Sequence, residues 1–136
     1  MKQHIATKAF IVHQGKVLII REAAAYSRGT NIGKYDFPGG KLDIGEHHDE
    51  GLKREVREEC GLEVRVTRPF FVAEWRPKIP GEELQIIGIF FKCTTEDAKV
   101  ALESSYDDAQ WIDPAKHRQF DLIPVNHEVF EAYLVR

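Results

Sequence analysis

The chain is poor in cysteine, with only Cys60 and Cys93 in 136 residues, and neither belongs to a CxxC pair. That excludes a disulfide framework or a zinc ribbon and leaves two free thiols, as expected in a reducing compartment. Long apolar runs are missing as well. No stretch reaches the length of a membrane span, and the start MKQHIATK lacks the hydrophobic segment of a secretory leader, so a cytoplasmic protein without membrane contact is expected. Positive charge is not in excess: the formal net charge of −3 argues against broad nucleic-acid binding. No Ser, His or Cys stands in a nucleophile motif, and neither GxGxxG nor the Walker pattern occurs. Repeats, low-complexity tracts and linkers are lacking. One domain over residues 1–136 is expected, a length that buries roughly two thirds of the unfolded surface without a structural metal.

What is present is a dense acidic segment. Residues 40–62 read GKLDIGEHHDEGLKREVREECGL, which sets Glu46, Glu55, Glu58 and Glu59 behind a Pro38-Gly39-Gly40 turn, with Arg54 among them. From position 46 or 47 to position 60 the residues favour helix. Side chains three and four apart share a face, so Glu55, Glu58 and Glu59 are expected to converge. Leu52, Val56 and Cys60 form a neighbouring apolar stripe that seats the helix on a sheet. Clustered carboxylates raise each other's pKa, and a partly buried cluster calls for a cation. Oxygen-only ligands select a hard ion, magnesium or manganese.

Taken alone, the charge run also describes a solvated helix, with Glu50 and Arg54 or Arg54 and Glu58 paired at i, i+4. The glycines favour a site. Gly39 and Gly40 permit a close backbone approach, and Gly61 followed by Leu62 is a helix stop. Gly51 works against the helix, costing about 1 kcal/mol relative to alanine. His47 and His48, at the helix start, are expected to face solvent rather than to bind zinc.

Strand signals flank this segment. Residues 4–13 and 16–20 read as a hairpin around Gln14-Gly15, residues 63–74 as a strand, and residues 84–93 as a largely buried one. Residues 76–81 and 96–108 are expected as loops, with Pro77, Pro80 and Gly81 as breakers. Asp113-Pro114 predicts a helix start with an aspartate cap. Pro124 and Asn126 introduce a last helix that turns Val129, Phe130, Tyr133 and Leu134 inward. The result is an α/β domain with antiparallel pairing and room for parallel pairing.

Residues 40–62 fit the pattern G-x5-E-x7-R-E-U-x-E-E-x-G-U, with U aliphatic, at every position. The chain thereby resembles the Nudix hydrolases, and their MutT-like subgroup in particular. That resemblance implies the Nudix fold, a mixed sheet sandwiched between α-helices with the box as loop-helix-loop. It implies that Glu58 and Glu59 bind an essential divalent ion, that Glu55 is a ligand or the general base, and that the Gly40 carbonyl completes the shell. Glu46 and Arg54 would pair to orient the acids, which brings Arg54 into the catalytic set. Family members commonly carry a small residue such as alanine where this chain has Gly51. Lys41 is placed to meet a phosphate, or is an ordinary exposed lysine. A further acid from outside the box often takes part in the family, and here Glu103, Asp107 and Asp108 stand open as candidates, with Glu103 and Asp108 weighted alike.

The implied reaction is attack of a metal-activated water on a diphosphate linkage. The stretch YDFPGGKLDIGE resembles the matching segment of MutT, and Pro124-Val125-Asn126 is similar to the context of its purine-reading asparagine. Asn126 is therefore a candidate base contact, and equally a candidate N-cap. Phe37 and Tyr35 could line a base pocket and Trp75 could stack on the base, or all three could be core. The favoured substrate is a nucleoside triphosphate, 8-oxo-dGTP or a relative, cleaved to a nucleoside monophosphate and pyrophosphate. An ADP-ribose pyrophosphatase is the competitor, on the position of Pro77. A non-catalytic Nudix-like ligand-binding module is the third reading, opposed by the retention of every box acid. The partner expected is a small nucleotide, and a homodimer is compatible with the resemblance.

Overall fold

A computed structural model describes residues 1–24 and 31–135 of the chain. Strand β1 (Lys2–His13) and strand β2 (Lys16–Glu22) form the expected hairpin. Gln14 at φ 49° and Gly15 at φ 78° make its two-residue turn, the twist of which suits paired strands. Two short strands follow, β3 (Tyr35–Asp36) and β4 (Gly39–Lys41), and then helix α1 (His48–Cys60). Beyond it come β5 (Arg65–Trp75), β6 (Leu84–Thr94), β7 (Tyr106–Ile112), a 3₁₀ segment Pro114–Gln119 and helix α2 (Pro124–Leu134).

The strands make one mixed sheet in the order β3-β2-β1-β6-β5, with β4 also on β1 and β7 also on β2. Strands β1 and β6 pair in parallel, in register from Lys2 opposite Leu84 to Val12 opposite Thr94, and an isolated parallel bridge joins Tyr35 to Leu122. β1 is shared along its other edge, Val12 and His13 pairing with β2 and Ala6 to Lys8 with β4. This split lays the Gly39-Gly40 backbone across the middle of the sheet. Gly39 holds φ 129°, and a Cβ there would stand 2.1 Å from the Thr7 carbonyl oxygen, so no other residue fits.

Each sheet face carries its own core. On one, Leu52, Val56 and Cys60 of α1 pack with Ile11, Leu18, Ile20 and Phe91. On the other, Val129 and Phe130 of α2 pack with Phe10, Phe37, Ile19 and Phe90. The helices therefore sandwich the sheet, as an α/β/α arrangement requires.

Sequence reasoning missed β3, β4 and β7. The first two are two and three residues long, and β7, YDDAQWI, holds two aspartates, so none shows the alternation that marks a strand. Residues 106–108 belong to β7 and not to a loop. Asp113 does cap the element after it, accepting from the Ala115 N–H at 2.9 Å, but that element is 3₁₀. At the end of α2, Val129 and Phe130 are buried as expected, whereas Leu134 faces solvent because the last turn overhangs the core.

Candidate active site

Helix α1 begins and ends as its sequence dictates. His47 is the N-cap, its Nδ1 accepting from the Asp49 N–H at 3.3 Å, and Gly61 closes the helix in the left-handed region with its N–H on the Arg57 carbonyl. The apolar stripe is fully buried, which leaves the acids along one margin facing the Gly39-Gly40 strand.

Arg54 organises the outer half of this margin. Its Nε and Nη2 donate to Glu46 at 3.0 and 3.2 Å, its Nη1 donates to Glu58 at 3.2 Å, and Nη2 lies 3.5 Å from Glu55. The bonds from Arg54 hold the Glu46 carboxyl below its ordinary value. Gly51 explains itself here. A Cβ at that position would stand 2.7 Å from the Glu46 carboxylate and 3.1 Å from Leu42, so the glycine makes room for the pair.

The inner half is different. Glu59 is held by the Gly39 N–H at 2.7 Å and the Tyr106 hydroxyl at 3.0 Å. Burial pushes its carboxyl up to about 7, against the pull of Lys8 and of those two hydrogen bonds. Burial likewise raises Glu55, against Arg54 and Lys8. Glu58 is exposed. Glu55 and Glu58 share Arg54 while Glu59 is held by Gly39 and Tyr106, and among the described residues the His, Cys, Asp and Glu side chains that come within 4.8 Å as a trio are His47, His48 and Asp49. Both histidines face solvent, as expected.

The donor set nonetheless suits a hard divalent cation. Glu59 is a partly buried carboxylate whose pKa stays raised in spite of Lys8, and a Cβ on Gly40 would lie 3.4 Å from the Glu55 carboxylate, so bare backbone abuts a half-buried acid. Glu55, Glu59 and the Gly40 backbone offer only oxygen, and Glu58 is one helical step away.

A cavity of about 490 Å³ opens next to this acidic margin, lined by Trp75, Phe90, Arg76 to Lys78, Ile123 to Asn126, Lys8 and Asp36. Lys8 joins the two regions. It is 7% exposed and paired with Asp36 at 3.0 Å. Burial works to lower its pKa, but Asp36, Glu59 and Glu55 outweigh that and raise it, so the ammonium stays charged. Asp36 also accepts from the Phe37 N–H at 2.7 Å and from Asn126 Nδ2 at 2.9 Å.

The structure sorts the residues singled out from sequence. Trp75 and Asn126 line the cavity. Asn126 is no N-cap: the cap of α2 is Ile123, without a side-chain bond, because Pro124 opens the helix and places Asn126 inside its first turn. Phe37 does not line the cavity but lies wholly inside the aromatic core between Phe10, Phe90 and Phe130. Nor does Tyr35, whose hydroxyl donates to Asp108 and accepts from Gln110. Lys41 is exposed at the end of β4 and is not part of the cavity wall.

Of the acids outside the box, Asp108 is taken up by Tyr35 and Gln110, and these hydrogen bonds lower its pKa, the Tyr35 one most. Asp107 pairs with Arg21 at 2.7 Å. Glu103 sits at the end of α1, its N–H donating to the Glu59 carbonyl at 3.0 Å, but its carboxylate accepts from Ser104. None of the three carboxylates meets the acids of α1. Lys8, Asp36 and Tyr106 were missed. A lysine inside the apolar run of β1 is the one signal that could have drawn attention.

The family model described as NUDIX domain matches residues 2–133. The chain is 27% identical over 129 residues to the nucleoside triphosphatase NudI of Escherichia fergusonii, covering 90% of each chain. It is 29% identical, with the same coverage, to the protein of that name in Escherichia coli O139:H28. Among solved structures, the MutT protein of Methanosarcina mazei Go1 superposes with a TM-score of 0.83 at 29% identity, over 96% of this chain and 91% of that one.

Proposed function

The chain belongs to the Nudix hydrolase family, and from that premise we propose that it is a single-domain, metal-dependent nucleoside triphosphate pyrophosphohydrolase of the MutT type. It releases a nucleoside monophosphate and pyrophosphate, and its substrate range includes oxidised nucleotides such as 8-oxo-dGTP. The observation that carries this reading is the position of the cavity. It has aromatic and amide groups suited to a base, and through Lys8 it adjoins the acids of α1, where a phosphate chain would lie.

Glu58, Glu59 and the Gly40 carbonyl would hold magnesium or manganese in this reading, with Glu55 beside them. The bound ion supplies charge neutralisation of the phosphates and a more acidic water. Glu55, half-buried and raised in pKa, takes the water's proton. Arg54 and Glu46 orient Glu55 and Glu58, while the Gly39 N–H and Tyr106 hydroxyl fix Glu59. Trp75 stacks on the base and Asn126 reads its edge. Lys41 meets the phosphates from the end of β4.

A specific observation also favours the ADP-ribose alternative: Pro77 stands in the cavity wall between Arg76 and Lys78. Turnover of 8-oxo-dGTP, the ordinary dNTPs, ADP-ribose and dinucleoside polyphosphates, with products identified by chromatography, separates the two. Triphosphates cleaved to monophosphate and pyrophosphate are expected. Fast hydrolysis of ADP-ribose alone would replace the proposal.

A further inference from the structure

Lys8 is an oddity in its strand, a charged side chain where its neighbours Ala6, Thr7, Ala9 and Phe10 are buried uncharged groups. The same carboxylate that pairs with Lys8 Nζ at 3.0 Å receives Asn126 Nδ2 at 2.9 Å. Lys8, Asp36 and Asn126 therefore form one chain along the cavity wall, and Asn126 is 2% exposed, so its amide is held by that chain and not by water. An ionised carboxylate only accepts hydrogen bonds. The amide consequently has one orientation against Asp36, nitrogen toward it and oxygen away. A neutral side chain at position 36 would permit both.

Resting on the nucleotide reading above, we propose that Lys8 is a positioning residue for base selection. By holding the Asp36 carboxylate through Oδ2 it keeps the other carboxylate oxygen on Asn126 Nδ2, which fixes the amide with Oδ1 as the atom offered to a ligand. The cavity then selects a base edge that donates an N–H at that point, and rejects the analogue lacking it. Lys8 also lies in the field of Glu55 and Glu59, and a lysine that served only to offset their charge would act on all nucleotides alike. Orientation acts on the ratio between bases.

The test uses three pairs of triphosphates: GTP and ITP differ by the 2-amino donor, ATP and purine riboside triphosphate by the 6-amino donor, and 8-oxo-GTP and GTP by an N7–H donor together with the C8 carbonyl. KM and kcat are measured with magnesium for the unaltered chain, K8R, K8M and the charge-neutral K8M/D36N, with thermal denaturation of each. Binding of the non-hydrolysable imido analogues, measured by calorimetry without metal, gives the same ratios independently of turnover.

In the unaltered chain at least one pair should favour the donor-bearing member by about tenfold or more. K8R should keep that preference. K8M should reduce it to about threefold or less, any fall in kcat common to all nucleotides being divided out, and K8M/D36N should reduce it no further. Should K8M fail to fold, K8L answers in its place. Equal losses for every nucleotide with the preference intact would reduce Lys8 to charge offset and overturn the proposal, as would an unaltered chain that prefers neither member of any pair. If no nucleotide is hydrolysed the functional reading fails, and the binding ratios alone then decide the role of Lys8.

Discussion

Helices α1 and α2 face each other across one sheet, yet they carry their chemistry in different ways. In α1 the N-cap, the stripe of Leu52, Val56 and Cys60, the acids and the terminal glycine all lie within one short stretch, and the acids meet Arg54 of the same stretch or the adjoining glycine strand, with Tyr106 as a distant partner. Helix α2 has no side-chain cap, and Asn126 makes its contact with Asp36, 90 positions away in sequence. Reactive groups that one helix gathers are spelled out in its periodicity. The lining of the cavity is collected from β1, β3, β5 and α2, segments far apart in sequence.

Substitutions on the two helices should break different quantities. The largest effect belongs to α1: Glu58→Gln should lower turnover at saturating magnesium by about a hundredfold or more. Its stability should stay within about 0.5 kcal/mol of the unaltered chain, because Glu58 is exposed and, among the described residues, is bonded only to Arg54. Steady-state kinetics and thermal denaturation check both, and unchanged turnover would remove Glu58 from the mechanism. Chelation should act in the same direction and stop the reaction.

Asn126→Ala, on α2, should cost about tenfold, mostly in KM and in the ratio between bases. A loss confined to kcat and equal for all bases would show that α2 does not read the ligand.

Stability should respond to pH in opposite senses on the two sides. Burial raises Glu59 from its ordinary 4.5 to about 7 in the ion-free chain. Its contribution is present below about pH 4.5 and is lost as pH rises through 7, by about 3 kcal/mol at most. On the α2 side, His117 and His127 meet through their Nδ1 atoms at 2.9 Å, and burial lowers both pKa values. That contribution is present above the ordinary histidine value and is lost as pH falls through the lower folded one. Denaturant titrations with chelator at pH 5, 6.5 and 8 should therefore show a maximum between the extremes, and magnesium should restore stability at pH 8. A curve indifferent to magnesium at pH 8 would count against the buried acid as a ligand.

The smallest effect is expected at Gly51. Alanine gains about 1 kcal/mol of helix propensity but crowds Glu46 at 2.7 Å. Gly51→Ala should change stability by less than about 1 kcal/mol while moving Glu46 off Arg54. Arg54 contacts that persist in a crystal structure of the variant would show that Glu46 yields without leaving.

Much of the fold was legible because β1, β2, β5, β6 and α1 are long enough to show their periods. The short strands β3 and β4 were hidden, since they exist only through pairing with β2 and β1. β7 was hidden because its aspartates serve Arg21 and Tyr35. Within the site, Glu46 and Arg54 were readable from the box, whereas Lys8 and Tyr106 reach it from distant strands. Phe37 misled because an aromatic beside a glycine turn reads as a wall of the pocket, and the actual wall is the adjacent Asp36, while Phe37 is buried among Phe10, Phe90 and Phe130. Glycine at position 51 looked like a defect until the carboxylate above it was in view.

The account turns on Glu59, the inner carboxylate that burial leaves in need of a cation. Glu59→Gln, measured at pH 8 for both turnover with magnesium and stability without it, should abolish hydrolysis while making the ion-free fold more stable than the unaltered chain. A variant that hydrolyses nucleotides at the unaltered rate, or that loses stability together with activity, would contradict it.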